Sequence, residues 1–359
     1  MIFGLGRKQP PPLGIDIGST AIKLVELSRA DRASGAGHQV TRYAIEPLVP
    51  SAMAEKKIAD IEAVGQGIAR ALRRAGSKTK RAAVAISGSA VITKTITLAG
   101  GLSEADIEAQ IQLEADQYIP FPLEEVNIDF DIIGPSPANP GMVDVLLAAT
   151  RRENVEDRIA ALEAAGLKAE IVDVEAYAME LACNQILGGG PFAEPSVQTL
   201  AVADIGATTT TLHVMRNGQV AYTREQKFGG LQLINEVQQR HGISRDEATT
   251  KVVNGDWPAG FETEILTPFR EAMVQQIGRA LQFFYSATTI NRVDRILLAG
   301  AAASLPKLDR LIAERLEITT SVGNPFAHMT ISKDLSSTAL NRDAPALMIA
   351  AGLALRGCL

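Results

Sequence analysis

Two short segments of the chain place an acidic residue, a glycine and a hydroxyl side chain at the end of an apolar run. Residues 13–20 read Leu-Gly-Ile-Asp-Ile-Gly-Ser-Thr, and residues 202–208 read Val-Ala-Asp-Ile-Gly-Ala-Thr. Glycine lets the backbone approach a ligand closely, and successive N–H groups in a tight turn form a concavity that binds anions. In the first segment Asp16 is suited to hold a hydrated Mg²⁺, and Lys23 on the following strand is suited to neutralise phosphate.

The repetition of this segment after 188 positions is more informative than either copy alone. A single copy is typical of an ordinary hairpin turn. Two copies are what two facing domains need to bind one phosphate chain from both sides. The sequence contains no Gly-x-x-x-x-Gly-Lys-Ser/Thr motif, which is the loop that binds phosphate in a different topology. The predicted phosphate-binding residues are Asp16, Gly18, Ser19, Thr20 and Lys23 in the first segment and Asp204, Gly206, Ala207 and Thr208 in the second.

These residues resemble the phosphate loops of the actin, Hsp70 and sugar kinase superfamily, in which the two loops lie on β-hairpins of duplicated domains. The resemblance implies an α/β actin-like ATPase fold, with two duplicated domains flanking a nucleotide cleft and with ATP and Mg²⁺ as cofactors. It also implies that Asp16 and Asp204 are metal ligands and that Asp204 and Glu175 are catalytic. Glu175 resembles the acidic or amide residue that orients water, but a favourable charge at a helix N-terminus explains it equally well.

Two segments of the second half resemble other parts of the superfamily's nucleotide site. Gly229 and Gly230 match a helix start whose N–H groups face the nucleotide; a simple helix entry after a strand is the alternative. Lys251 falls where related proteins carry an Ala-Glu-x-x-Lys element that contacts ribose and base. Here the run is Ala-Thr-Thr-Lys, so the acidic ribose contact is missing.

The apolar run 295–299 and the small residues after it resemble the superfamily's adenosine motif. Gly300 begins the turn, and Ala301 and Ala302 stand where glycines are usual. The methyl groups of these two alanines disfavour a backbone conformation with positive φ, which glycine adopts readily. Because the sequence also shows no activated nucleophile, we expect ATP binding with slow or absent hydrolysis.

Length and composition limit the classes of function. A chain of 359 residues is expected to form two domains. A net charge of −6 and 4 % aromatic residues argue against nucleic-acid binding. Cys183 and Cys358 are expected to be free thiols, and the four scattered histidines do not form a metal motif. No apolar run approaches the ~18–20 residues that span a bilayer, so we expect a cytoplasmic protein whose residues 1–12 are a flexible leader.

Hydrophobic periodicity and turn residues predict how the chain is divided. We expect a first actin-like domain from residues 13–86, 173–198 and 340–359, an inserted α/β subdomain from 87–172, a second actin-like domain from 199–227 and 291–339, and a mainly helical subdomain from 228–290. The insert is predicted to run strand, helix, strand, strand, helix, strand, and the last strand lies near 168–172. Apolar residues at 58–72 predict a helix that ends at Gly76. Ser103 and Asp106 predict a capping box, and Asn217-Gly218 predicts a hairpin turn.

The inserted segment resembles the PilM family of type IV pilus assembly proteins. The resemblance rests on residues 114–126, 146–149 and 323–326. It implies an ATP-binding adaptor, related to the cell-division protein FtsA, that lies at the inner face of the inner membrane only through its partners. The implied partner is the N-terminal cytoplasmic peptide of the inner-membrane protein PilN, bound in a groove between the insert and the first domain. Other pilus assembly proteins and the chain itself are further candidate partners.

Two alternatives remain at the level of sequence. An FtsA-like filament former would share this fold, but the C-terminal residues 353–359 are short and weakly amphipathic. A small-molecule kinase would share the phosphate loops, but it needs a positioned acceptor hydroxyl, and no acid or base beyond Glu175 is evident. The apolar corner at 118–122 either lines the partner groove or fills the core of the insert.

Overall fold

The computed structural model describes residues 11–30, 37–188, 197–255, 257 and 260–358. Most of the leader predicted for residues 1–12 therefore lies outside the described residues. The strands are β1 Leu13–Ile17, β2 Ala21–Arg29, β3 His38–Pro47, β4 Met53–Ala54, β5 Lys57–Ile58, β6 Arg81–Ile86, β7 Val91–Ala99, β8 Val126–Pro135, β9 Met142–Arg151, β10 Lys168–Val174, β11 Thr199–Ile205, β12 Thr210–Arg216, β13 Gln219–Gln226, β14 Arg295–Ala299, β15 Thr320–Val322 and β16 Thr330–Ile331. The helices are α1 Ile61–Ala75, α2 Glu104–Glu114, α3 Arg152–Ala164, α4 Glu175–Ile186, α5 Gly230–His241, α6 Arg245–Asn254, α7 Thr267–Ala287, α8 Leu308–Leu316, α9 Ser337–Asp343 and α10 Met348–Arg356.

The two large sheets share one topology. The first has the order β10-β6-β1-β2-β3-β16, and the second has the order β13-β12-β11-β14-β15. In each sheet the central strand, β1 or β11, pairs antiparallel with the next strand along the chain and parallel with a later one. This correspondence is the structural form of the duplication that the two similar segments predict.

Helices cover both faces of the first sheet and connect it to the second. One face of the first sheet packs against α1 and α3, which gives a core that includes Ile22, Ile68 and Leu162. The opposite side shares a core with the second sheet, in which α4 and α10 contribute Met179 and Met348. Burial of these side chains stabilises the contact between the domains, at about 25 cal/mol per Å² of apolar surface.

The insert is smaller than the sequence predicts. Strands β7, β9 and β8 form a separate three-stranded sheet, and α2 packs on it through Ile107 and Ile111. The predicted last strand, β10, instead pairs in parallel with β6 in the first sheet. Helix α3 packs against α1 in the core of that sheet. The assignment of α3 and β10 to an insert spanning 87–172 is therefore wrong, because their apolar faces are buried against the first sheet.

A second boundary also needs correction. Strand β16 lies in the segment 291–339 assigned to the second domain, but it pairs in parallel with β3 at the edge of the first sheet. The local turn predictions fare better. Gly76 ends α1 with φ +67°, and Asn217 and Gly218 both adopt positive φ. Ser103 and Asp106 form the reciprocal capping box.

Ile58 lies outside the helix to which its spacing assigned it. It belongs to the short hairpin β4–β5, and α1 begins at Ile61 after the N-cap Asp60. The Asp60 side chain accepts a hydrogen bond from the N–H of Ala63, which fixes the start of the helix. The β4–β5 hairpin is therefore a separate element that lies between β3 and α1 in the chain.

Candidate functional site

The first candidate phosphate loop joins β1 and β2. The N–H of Gly18 donates to the carbonyl of Ala21 at 3.0 Å and closes the turn. Asp16 faces Lys23 across the hairpin, and the Lys23 Nζ lies 2.7 Å from Asp16 Oδ2. Asp16 is only 4 % exposed, so the ammonium group compensates a carboxylate that water barely reaches. The structure thus brings Asp16, Gly18 and Lys23 together as the sequence predicts.

The second candidate loop joins β11 and β12 with the same turn. The N–H of Gly206 donates to the carbonyl of Thr209 at 2.9 Å. Across the cleft, Thr208 Oγ1 donates to Ser19 Oγ at 3.2 Å, so the two loops touch. The loops differ in one respect: the residue opposite Asp204 is Thr211, where the first loop has a lysine opposite its aspartate.

The charges of the two loops influence one another. Burial raises the pKa of the Asp204 carboxyl to about 6, although Lys23 and Lys56 act to lower it. Burial would lower the pKa of the Lys23 ammonium, but Asp16 and Asp204 outweigh this, so its pKa is raised and it remains a cation. The cleft therefore holds a buried carboxylate that a bound cation would stabilise.

Glu175 begins α4 and is held by a lysine that the sequence analysis missed. Lys56 lies in the turn between β4 and β5, and its Nζ is 2.9 Å from Glu175 Oε2 and 3.0 Å from Glu225 Oε2. Glu225 belongs to β13 in the second sheet, so Lys56 links the two domains. Burial would lower the pKa of Lys56, but the two carboxylates raise it. The sequence around Lys56 matches no motif, so its ion pairs with Glu175 and Glu225 can be identified only from the folded structure.

The turn predicted to hold adenosine lies beside the second loop. Gly300 directly follows β14 with φ +87°, and a Cβ there would meet the Ile205 carbonyl and the Asp204 carboxylate. This is a position that only glycine fits. Ala301 and Ala302 begin a 3-10 turn and have negative φ, so their methyl groups cause no backbone strain here.

The start of α5 is bonded to the second loop. The N–H of Gly230 donates to the Gly206 carbonyl at 2.9 Å, and the N–H of Leu231 donates to the Ala207 carbonyl at 2.8 Å. The Gly229 N–H donates to the Gln232 side chain at 2.8 Å. These groups hold the loop in place, and a direct contact of Gly229 or Gly230 with phosphate stays a prediction.

Two other predicted positions, Thr20 and Lys251, have roles that the structure does not test. The Thr20 carbonyl accepts a hydrogen bond from the N–H of Leu48. Lys251 lies on α6 and forms a 3.9 Å ion pair with Glu247. Within the described residues no three His, Cys, Asp or Glu side chains gather as a metal site. Mg²⁺ commonly binds through one or two carboxylates and substrate phosphates, which Asp16 and Asp204 would suit.

A groove of about 1110 Å³ lies between α2 and β8, so it belongs mainly to the insert and not to the junction with the first domain, where the resemblance implies the partner groove. Strand β8 is the edge of its sheet, so one side of its backbone is not paired within that sheet. Carboxylates line the groove, and Arg152 at the start of α3 closes it. The lining residues are Glu104, Ala105, Glu108, Ile111, Gln112, Leu123, Val126, Asn127, Ile128, Asp129, Phe130, Asp131, Ile132 and Arg152.

The apolar corner at 118–122 fills the core of the insert. Ile119 is 3 % exposed and packs with Ala115, Val126 and Ala149. Phe121 lies partly buried against the same cluster, and the Arg151 guanidinium stacks 4.4 Å from the centre of its ring. Of the two alternatives for this corner, the structure therefore favours packing.

The profile of a protein family, described as type IV pilus assembly protein PilM, matches residues 14–358. The chain belongs to the PilM family. A solved structure titled PilM-PilN type IV pilus biogenesis complex is 26 % identical, with a TM-score of 0.80 over 97 % of this chain and 99 % of that one. Ethanolamine utilization protein EutJ from Carboxydothermus hydrogenoformans is 17 % identical, with a TM-score of 0.57 over 97 % of this chain and 90 % of that one. The predicted actin-like α/β fold is confirmed.

Among the described residues, no helix is both long enough and apolar enough to cross a bilayer.

Proposed function

We propose that this PilM-family chain is an ATP-binding adaptor of type IV pilus assembly whose insert binds the N-terminal cytoplasmic peptide of PilN. The observation that carries the proposal is the acidic groove beside the edge strand β8. A second element is the nucleotide cleft, where Asp16, Lys23 and Asp204 gather on two matched loops. The likeness to the PilM-PilN complex supports PilN as the partner.

The insert holds an excess of negative charge. Residues 87–151 contain ten Asp and Glu side chains but only two Lys and Arg, whereas the net charge of the whole chain is −6. Glu104, Glu108, Asp129 and Asp131 all line the groove. Cytoplasmic segments that flank a membrane span are enriched in Lys and Arg. A basic peptide beside the membrane is therefore complementary to this groove, and the attraction would steer its approach.

The shape of the groove suits an extended peptide. Strand β8 has one edge that is not paired within its sheet, with the Val126 carbonyl already bonded to Arg152, and α2 forms the opposite wall of the groove. Addition of a strand to a sheet edge gives affinity through main-chain hydrogen bonds, and pockets for alternate side chains give specificity. Phe130 and Ile132 provide apolar lining next to the carboxylates, so a peptide that combines apolar and basic residues would satisfy both.

The test is calorimetric titration of the full chain with a synthetic PilN N-terminal peptide. We expect the double variant Glu108→Lys/Asp131→Lys to lose at least about tenfold in affinity, roughly 1.4 kcal/mol for two lost charge contacts. The matched control Glu163→Lys/Glu314→Lys makes the same change in net charge at exposed positions on α3 and α8. Equal affinity of the groove variant and the control would locate the peptide site elsewhere.

A further inference from the structure

The two domains meet along the edge strand β13. The N–H of Val220 on this strand donates to Glu180 Oε2 at 2.6 Å. The side-chain amide of Asn184 donates to the carbonyl of Gly218 at 3.0 Å. Both partners in the first domain lie on α4. The contacts along this seam are polar, and the Glu180 carboxylate gives the Val220 N–H a partner without a further strand.

Lys56 joins the same seam at the end nearest the phosphate loops. Its Nζ contacts Glu175 of the first domain and Glu225 of the second. The three side chains are only 22 %, 12 % and 24 % exposed, so their charges are poorly screened by water. A neighbouring pair, Lys227 with Glu55, crosses the seam at 2.6 Å but is 77 % and 66 % exposed. Such an exposed pair adds little to stability.

An apolar core lies behind this polar seam. Met179 and Ala182 of α4 pack with Val202 and Leu297 of the second sheet, and Met348 of α10 completes the contact. Burial of apolar surface keeps these elements together. In domain closure, a few residues at the ends of helices or strands commonly act as the hinge. Here the shared apolar core is suited to stay in place while the two domains rotate about it. A rotation about it would separate the polar contacts at the mouth of the cleft.

Binding of a phosphate chain between the loops requires such a separation. The hydroxyls of Ser19 and Thr208 are 3.2 Å apart and bonded to each other. A phosphate that bridged them would make two hydrogen bonds of about 2.7 Å each, which holds the hydroxyls farther apart. Nucleotide entry must therefore overcome the contacts that close the seam.

We propose that Lys56 is a positioning residue that clasps the cleft shut, because it ties Glu175 to Glu225 across the domains and must release Glu225 when nucleotide enters. This inference rests on the proposed nucleotide site and adds a means of regulating it. The Lys56 ammonium group also holds the carboxylate of Glu175, which is the candidate to orient water. The same ammonium group therefore controls both nucleotide entry and the mobility of the Glu175 side chain.

The test is stopped-flow binding of a fluorescent ATP analogue with Mg²⁺ to the full chain. We expect Glu225→Ala to raise the association rate about three- to tenfold, the effect of losing a half-buried ion pair of roughly 0.7–1.4 kcal/mol. Lys56→Arg keeps both ion pairs and should bind at nearly the wild-type rate. Lys227→Ala breaks the exposed pair on the same seam and is the matched control, for which no change is expected.

A second measurement does not depend on nucleotide. Spin labels at Gln66→Cys in α1 and Gln239→Cys in α5, in a Cys358→Ser background, report the distance between the domains. We expect Glu225→Ala to broaden and lengthen this distance distribution without nucleotide, and Lys227→Ala to leave it unchanged.

The outcomes separate the clasp from the nucleotide proposal. Absence of any ATP binding by the wild-type chain would overturn the nucleotide site, while the distance measurement would still test the clasp. If the wild-type chain binds the ATP analogue, and Glu225→Ala changes neither the association rate nor the spin-label distance, the clasp is overturned and the nucleotide site is not. A slower rate in Glu225→Ala would also overturn it, since the pair would then assist binding.

Discussion

The ion pair of the first candidate phosphate loop gives a prediction whose size follows from the burial of its two side chains. Replacing Lys23 by methionine removes the cation that lies 2.7 Å from Asp16 and keeps most of the side-chain volume. The Asp16 side chain is 5 % exposed and the Lys23 side chain is 19 % exposed. Lys23→Met therefore leaves a buried carboxylate without its partner, which destabilises the folded protein because water cannot replace the ammonium group.

Removal of one partner from a buried pair costs about 3–5 kcal/mol. Because the Lys23 side chain retains some contact with water, we expect a cost just below this range, about 2–3 kcal/mol. A loss of 1 kcal/mol lowers the melting temperature of a domain of this size by about 2–4 °C. Lys23→Met should therefore lower the melting temperature by roughly 5–10 °C in the absence of nucleotide.

The assay is thermal unfolding followed by far-ultraviolet circular dichroism. A double variant, Asp16→Asn/Lys23→Met, removes both charges and should recover at least half of the loss, because a neutral amide is less costly to bury than an unpaired carboxylate. If Lys23→Met melts within about 1 °C of wild type, the carboxylate of Asp16 does not depend on Lys23. A double variant less stable than the single one would contradict the same reasoning.

Two further predictions concern the second domain. Asp204→Ala should weaken Mg²⁺-dependent ATP binding at least about tenfold, roughly 1.4 kcal/mol, and equal calorimetric affinities would remove Asp204 from the site. Burial, with help from Lys56, lowers the pKa of His213 to about 3. Below about pH 6.5 the unfolded chain therefore binds a proton that the folded chain excludes, and stability falls as the pH falls. In urea unfolding between pH 6.5 and 5, His213→Gln should lose about 1.5 kcal/mol less stability than wild type, and identical losses would refute this.

The sequence predicts the two hairpin turns of the candidate phosphate loops well, because the geometry of each turn is local. Asp16 and Gly18 on one hairpin, and Asp204 and Gly206 on the other, are each specified within a few residues. The backbone hydrogen bonds that close the two turns repeat at the same spacing, from Gly18 to Ala21 and from Gly206 to Thr209. A turn of this kind depends on short-range geometry, which a single sequence contains.

The sequence predicts less where distant segments meet. Strand β10 has the same local pattern whether it joins the insert or the first sheet, and only its pairing with β6 decides between them. Lys56 lies 119 residues from Glu175 in the chain. No local sequence pattern indicates that the Lys56 ammonium and the Glu175 carboxylate form an ion pair. Tertiary packing, and not secondary-structure propensity, brings the two side chains together.

Helix α3 connects the acidic groove with the cleft between the two candidate phosphate loops. At its start, Arg152 lines the groove and donates to the Val126 carbonyl of β8 at 3.2 Å. Farther along, Arg158 is 4 % exposed and donates to the Ala85 carbonyl of β6 at 2.7 Å. Strand β6 pairs with β1, which carries Asp16. Helix α3 is thus anchored by one guanidinium group at its start and by another at its middle, so fixed contacts join the groove to the first sheet. Thermodynamic linkage then requires that any effect of nucleotide on peptide affinity equals the effect of peptide on nucleotide affinity.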